Sequence, residues 1–126
     1  MKEKILICFY TVNINEKLVL DILDKIPQSV ANWNHEILIL INSSGETISK
    51  AVNNSIKKHK SFNLKILFNL QNLGYGGNQK LAFHYAVKHN FDFVLLIAGS
   101  GQYNPGQLEN LVSSLITSNS HAVIGS

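Results

Sequence analysis

The chain has 126 residues, 45% of them hydrophobic, and its eleven lysines against eight acidic residues give a formal charge of +3. This length and apolar content fit one domain with a buried core. The sequence contains no arginine, the residue that suits bidentate contacts with phosphates and guanine, which argues against a nucleic-acid partner. The single cysteine excludes a disulfide framework and favours a reducing, cytoplasmic location.

Apolar runs of strand length alternate with segments of helical period, the pattern of βαβ units on a parallel sheet. The predicted strands are residues 5–9, 36–41, 64–69 and 93–97, with a fifth beginning at Ala122. The predicted helices are a first one carrying Leu18, Ile22 and Ile26, followed by residues 47–58, 78–89 and 108–116. The sequence therefore predicts an α/β fold, a Rossmann-like three-layer sandwich with a mainly parallel sheet and the fourth strand beside the first.

A glycine-rich turn, "NLGYGGNQK" at residues 72–80, precedes the third predicted helix. Gly74, Gly76 and Gly77 permit close backbone approach, so a helix opening near Asn78 would present free N–H groups to a diphosphate. Lys80 would add a positive charge. Glycine also occurs in such turns for backbone reasons alone, and both interpretations stay open at this point.

Three segments together resemble family 2 glycosyltransferases, in particular the polyprenyl-phosphate mannosyl- and glucosyltransferase-like branch with a GT-A fold. They are "NLGYGGNQK", "SGQYNP" at residues 100–105, and the closing "HAVIGS". The resemblance implies a truncated GT-A sandwich, a single domain over residues 1–126 that lacks the C-terminal acceptor-binding part. It also implies transfer of a sugar from a UDP- or GDP-sugar donor to a lipid-phosphate or glycan acceptor. A membrane-associated acceptor or partner protein, at the inner face of a membrane, would be a second partner.

The resemblance assigns donor binding to residues at the strand ends and in the glycine turn. They are Thr11, Asn13, Asn42, Ser43, Gly74, Gly76, Lys80, Ser100 and Gln102. It assigns no catalytic residue, because the base that family members use belongs to a later loop.

The sequence departs from the family where charge is expected. Ser100 stands at the position of the family's acidic metal ligand, Ala98 replaces the acid two positions earlier, and Asn42 and Ser43 replace an acidic pair. Family members are expected to use Mg²⁺ or Mn²⁺, which prefer hard oxygen ligands including carboxylates. We therefore predict no metal site.

Two functions remain open on this basis. One is a sugar-transfer enzyme or its donor-binding portion, favoured by the retained "GYGGNQK" turn. The other is a non-catalytic relic that binds a nucleotide or a partner protein, favoured by the missing carboxylate at Ser100.

Overall fold

The computed structural model describes residues 3–11, 16–42, 50–69, 74–98 and 108–118. Its strands are β1 (Ile5–Thr11), β2 (His35–Asn42), β3 (Leu64–Asn69) and β4 (Phe93–Ala98). Its helices are α1 (Glu16–Lys25), α2 (Lys50–Lys58), α3 (Gly74–Lys88) and α4 (Leu108–Ser118), with a short 3₁₀ helix at Gln28–Asn32. No helix in these ranges is long and apolar enough to cross a membrane.

The four described strands form one parallel sheet in the order β3-β2-β1-β4. β1 is a central strand, and its Ile7 lies opposite Ile37 of β2 and Leu95 of β4. Long runs of β-branched and other apolar residues suit strands that are covered on both faces. The predicted place of the fourth strand beside the first is confirmed.

Helices pack on both faces of this sheet. Alternate side chains of a strand point to opposite faces, so Ile7 and Phe9 of β1 join a cluster with α1 and α4, whereas Leu6 and Cys8 join a cluster with α3. The half-buried Ile56 places α2 on the same side as α1. The predicted α/β, Rossmann-like three-layer arrangement is therefore confirmed.

Three strands continue beyond their predicted ends. β1 extends to Thr11, β2 to Asn42 and β4 to Ala98. The prediction stopped at the last large apolar residue, but strand pairing is made by backbone groups and continues through small or polar residues. The predicted helix start at residue 47 and the predicted strand from Ala122 lie outside the described residues.

The third helix begins at Gly74, four residues before the predicted start at Asn78. Its glycines predicted a loop because glycine costs about 1 kcal/mol in a helix relative to alanine. Packing outweighs this propensity, since Asn78 is buried at the same helical spacing as Ala82 and Ala86, which pack against the sheet. The glycine segment thus forms the first turn of the helix.

Candidate functional site

The carboxyl ends of the strands meet at one edge of the sheet because the strands are parallel. Thr11, the last residue of β1, lies opposite Ile41, and Asn42 ends β2 one position further on. On the other side of β1, Ala98 ends β4 opposite Tyr10. Adjacent strands lie about 4.8 Å apart, so these three strand ends are within reach of one small ligand.

The predicted donor-binding residues divide between this edge and α3. Thr11 and Asn42 are brought to neighbouring strand ends, while Gly74, Gly76 and Lys80 lie in the first two turns of α3. The remaining predictions fall outside the described residues. They are Asn13, Ser43, Ser100 and Gln102.

The first turn of α3 opens on the same edge as the strand ends. β3 ends at Asn69 and α3 begins at Gly74, so only a short connection separates them. The first N–H groups of a helix have no partner within the helix, and the helix dipole makes this end partly positive. No acidic residue occupies the first turn. This end of α3 can therefore accept an anion such as a diphosphate.

Packing does not explain the glycine at position 76. Gly76 is exposed, and a Cβ built on it would have no heavy atom within 4 Å. An alanine would fit sterically and would suit the helix better. The missing side chain leaves the backbone of the first turn open to a ligand.

Lys80 and Asn78 lie on different sides of α3. Lys80 is exposed, like Gly76 and His84, which are one turn before and after it. Asn78 is completely buried and shares the sheet-facing side of the helix with Ala82. Successive helix residues are rotated by about 100°, so Lys80 lies about 200° around the helix from Asn78. Lys80 can therefore contact an anion at the amino-terminal end of α3 only if its side chain extends along the first turn towards that end.

Sequence reasoning used Asn78 only as a helix boundary and did not assign it to the site. The structure buries its carboxamide in the second turn of α3, on the side that faces the sheet. The signal in the sequence was its spacing, because Asn78, Ala82 and Ala86 recur every fourth residue and so share one side of a helix. A polar residue on the apolar side of a helix is therefore expected to be buried.

The strand-end residues of the candidate site are neutral, whereas two charged clusters of the described structure lie elsewhere. The backbone N–H of Lys4, before β1, donates to Oδ2 of Asp92, before β4, at 2.8 Å. Lys65 on β3 forms an ion pair with Glu36, the second residue of β2, at 3.1 Å. Both clusters involve the amino-terminal parts of strands, away from the strand ends at Thr11, Asn42 and Ala98.

The residue types predicted for the site are not those that Mg²⁺ or Mn²⁺ prefers. Thr11 and Asn42 are neutral, as is Ser100, which lies outside the described residues. Within the described ranges, no three His, Cys, Asp or Glu side chains are grouped so that they could hold a metal ion. Hard divalent cations bind best where carboxylates contribute, so this set of residues fits a metal ion poorly.

A family model, glycosyl transferase family 2, matches residues 5–126. The match begins with β1 and includes every described strand and helix, together with the glycine segment at the start of α3. No curated protein and no solved structure matches the chain in the same set of comparisons. A family match over almost the entire chain confirms the resemblance at the level of the family. The chain belongs to glycosyl transferase family 2.

Proposed function

We propose that this chain is the nucleotide-sugar-binding domain of a glycosyltransferase, which holds a UDP- or GDP-sugar for transfer to a lipid-phosphate or glycan acceptor. The observation that carries the proposal is the opening of α3 at the same sheet edge as the ends of β1 and β2, in a chain of this family. The "NLGYGGNQK" and "SGQYNP" motifs favour the polyprenyl-phosphate branch of the family.

The proposed mode of binding uses two parts of the edge. The N–H groups of the first turn of α3, which have no partner within the helix, hold the diphosphate, and Lys80 contributes positive charge from the exposed side of the helix. Thr11 and Asn42, with Asn13 and Ser43 beyond them, provide neutral donors and acceptors for the base and ribose. Ser100 and Gln102, which follow β4 in the sequence, are further donor-binding residues in this proposal.

Binding in this mode depends little on a divalent ion. In family members the ion offsets the charge of the two phosphates and of the leaving group, an effect of several kcal/mol in such reactions. With Ser100 in place of the acid, the domain retains the donor-binding scaffold without the carboxylate that would hold the ion. We expect weak donor binding and no detectable sugar transfer by the isolated chain.

The first test introduces the missing carboxylate. We expect Mn²⁺ to change the calorimetric affinity of the natural chain for UDP- and GDP-sugars by less than about twofold. In Ser100→Asp, Mn²⁺ should raise donor affinity by about tenfold or more, because a carboxylate then stands beside the diphosphate.

A matched control is Ser113→Asp, which adds the same charge to an exposed position of α4 and should confer no Mn²⁺ dependence. If neither UDP-sugars nor GDP-sugars bind, with or without Mn²⁺, donor binding is refuted. Strong Mn²⁺-dependent binding by the natural chain would instead refute the metal-independent mode.

A second test separates helix stability from ligand approach at Gly76. Gly76→Ala should raise the free energy of unfolding by about 0.5–1 kcal/mol, because alanine is the better helix former and meets no neighbouring atom. The same methyl group should weaken donor binding by about fivefold or more, because it stands where the phosphates approach the helix backbone. Urea unfolding and calorimetric titration measure the two effects.

Asn53→Ala, at an exposed position of α2, is the control for this second test. It should stabilise its helix through propensity while leaving donor affinity unchanged. A Gly76→Ala variant that gains stability and binds donor as well as the natural chain would show that the glycine has no role in binding.

A further inference from the structure

A polar cluster ties α3 to β2 and β3 at a distance from the strand ends. Glu36 of β2 is 6% exposed, and its carboxylate accepts a hydrogen bond from the hydroxyl of Tyr85 on α3. Lys65 of β3 forms an ion pair with the same carboxylate at 3.1 Å and contacts the Tyr85 hydroxyl at 3.5 Å. We name Glu36, Lys65 and Tyr85 the α3 clamp.

The most deeply buried apolar contacts of α3 with the sheet are made by small side chains. Ala82 and Ala86 are buried in the apolar cluster, whereas the larger Leu81, Phe83 and Tyr85 pack against it and are only partly buried. Large side chains define helix packing through ridges and grooves, and small ones permit rotation or sliding at lower cost. A directional contact therefore adds to this packing in fixing the rotation and the axial position of the helix.

The clamp supplies that directional contact. A hydrogen bond to a buried carboxylate is stronger than a neutral one and has a preferred geometry. Burial, with the Glu36 carboxylate as a further cause, raises the pKa of Tyr85, so its hydroxyl stays a donor at neutral pH. The ring of Tyr85 also lies against His89, with centroids 4.3 Å apart, so the residue is held by packing as well.

We propose that Tyr85, through Glu36 and Lys65, is a positioning residue for donor binding, because the clamp sets where the first turn of α3 lies relative to the strand ends. Tyr85 is eleven positions after Gly74, which corresponds to about 16 Å along the helix, so it touches no donor itself. A helix transmits a rotation or a shift along its whole length as a rigid element. This inference rests on the donor-binding function proposed above and adds to it a remote determinant of affinity.

The test uses Tyr85→Phe, which keeps the ring and removes the hydroxyl. We expect amide hydrogen exchange at residues 76–80 to accelerate by about tenfold and donor affinity to fall by about fivefold to tenfold. Glu36→Gln should have a smaller effect on both, because its carboxamide oxygen still accepts from Tyr85.

Val112→Ala is the control for lost stability, since Val112 is buried on α4 at the opposite face of the sheet. This substitution should destabilise the fold, but amide hydrogen exchange at residues 76–80 should not accelerate more than exchange in the rest of the chain. This separates positioning of α3 from a general loss of stability.

The two readouts fail in different ways. If the natural chain binds no sugar nucleotide, the proposed function is wrong, and the exchange measurement alone decides whether the clamp positions α3. If Tyr85→Phe leaves exchange at residues 76–80 unchanged relative to Val112→Ala, the clamp does not position the helix. If exchange accelerates but donor affinity stays the same, the clamp has no role in binding.

Discussion

Replacing Phe9 with alanine is expected to lower the free energy of unfolding by about 3–5 kcal/mol, the cost of removing a large aromatic side chain from a packed core. Phe9 is 1% exposed and lies on β1, between Ile39 of β2 and Ile97 of β4. Its ring faces the side of the sheet that α1 and α4 cover. The cavity left by the substitution would be enclosed by strands on both sides and could collapse little.

Urea unfolding followed by circular dichroism measures this effect. Leu67→Ala is the matched control, because Leu67 lies on β3, one of the two outermost strands of the described sheet, and is 41% exposed. It should cost about 1 kcal/mol or less. Equal losses in the two variants would show that the Phe9 side of β1 is not the core of the domain.

The core could be predicted because each of its strands and helices shows its apolar pattern within a short segment, and several segments show the same pattern. The run at β2, "HEILILIN", is apolar on both faces over most of its length, which fits only a strand covered on both sides. The helices with wide apolar stripes, such as the one with Leu108, Val112 and Leu115, followed from spacing alone. These features require no knowledge of which segments meet in space.

The place of the fourth strand beside the first could also be predicted. It followed from the apolar runs, from their alternation with helical segments and from the way parallel βαβ units assemble. The register, with Ile7 opposite Ile37 and Leu95, was beyond prediction because every strand carries several equivalent apolar residues. Register is fixed by packing of all layers together and not by one strand.

The α3 clamp could not be predicted from the sequence, because its side chains become distinctive only when the fold brings them together. In the sequence, Glu36 is a charged residue at the start of a predicted strand, and Tyr85 is one of several residues on the same side of a predicted helix. Their pairing joins residues 49 positions apart in the chain and depends on how α3 lies across β2. Asn78 is the exception, because its spacing with Ala82 and Ala86 in the predicted helix already indicated a buried position.

The contrast between the two edges of the sheet connects fold and function. The polar cluster of Glu36, Lys65 and Tyr85 pairs its charges with one another, so it stabilises the arrangement and offers little to a ligand. The described strand-end residues Thr11, Asn42 and Ala98 are uncharged, and the partly positive end of α3 lies at the same edge. A ligand that carries its own negative charge complements such an edge better than a neutral or cationic one.

The single cysteine offers the most sensitive measure of the stability of this fold. Cys8 is completely buried in the central strand β1, on the face that α3 covers. Burial raises the pKa of its thiol far above the ordinary value of 9.0, so the folded chain holds a proton that the unfolded chain releases. The stability that this group contributes is therefore complete below about pH 9 and is lost as the pH rises further.

Alkylation of Cys8 by iodoacetamide at pH 8 should consequently proceed at least on the order of 10³-fold more slowly in the folded chain than in urea, because only the opened chain exposes a reactive thiolate. The reference is Val87→Cys in a Cys8→Ala background, since Val87 is 78% exposed on α3 and should react as fast folded as unfolded. Adding Phe9→Ala to the natural chain should accelerate Cys8 alkylation by about 100-fold or more, because the population of the unfolded chain rises tenfold for each ~1.4 kcal/mol of lost stability. Alkylation of native Cys8 within about tenfold of the Val87→Cys reference would mean that β1 is accessible without unfolding, and the central place of this strand in the domain would have to be abandoned.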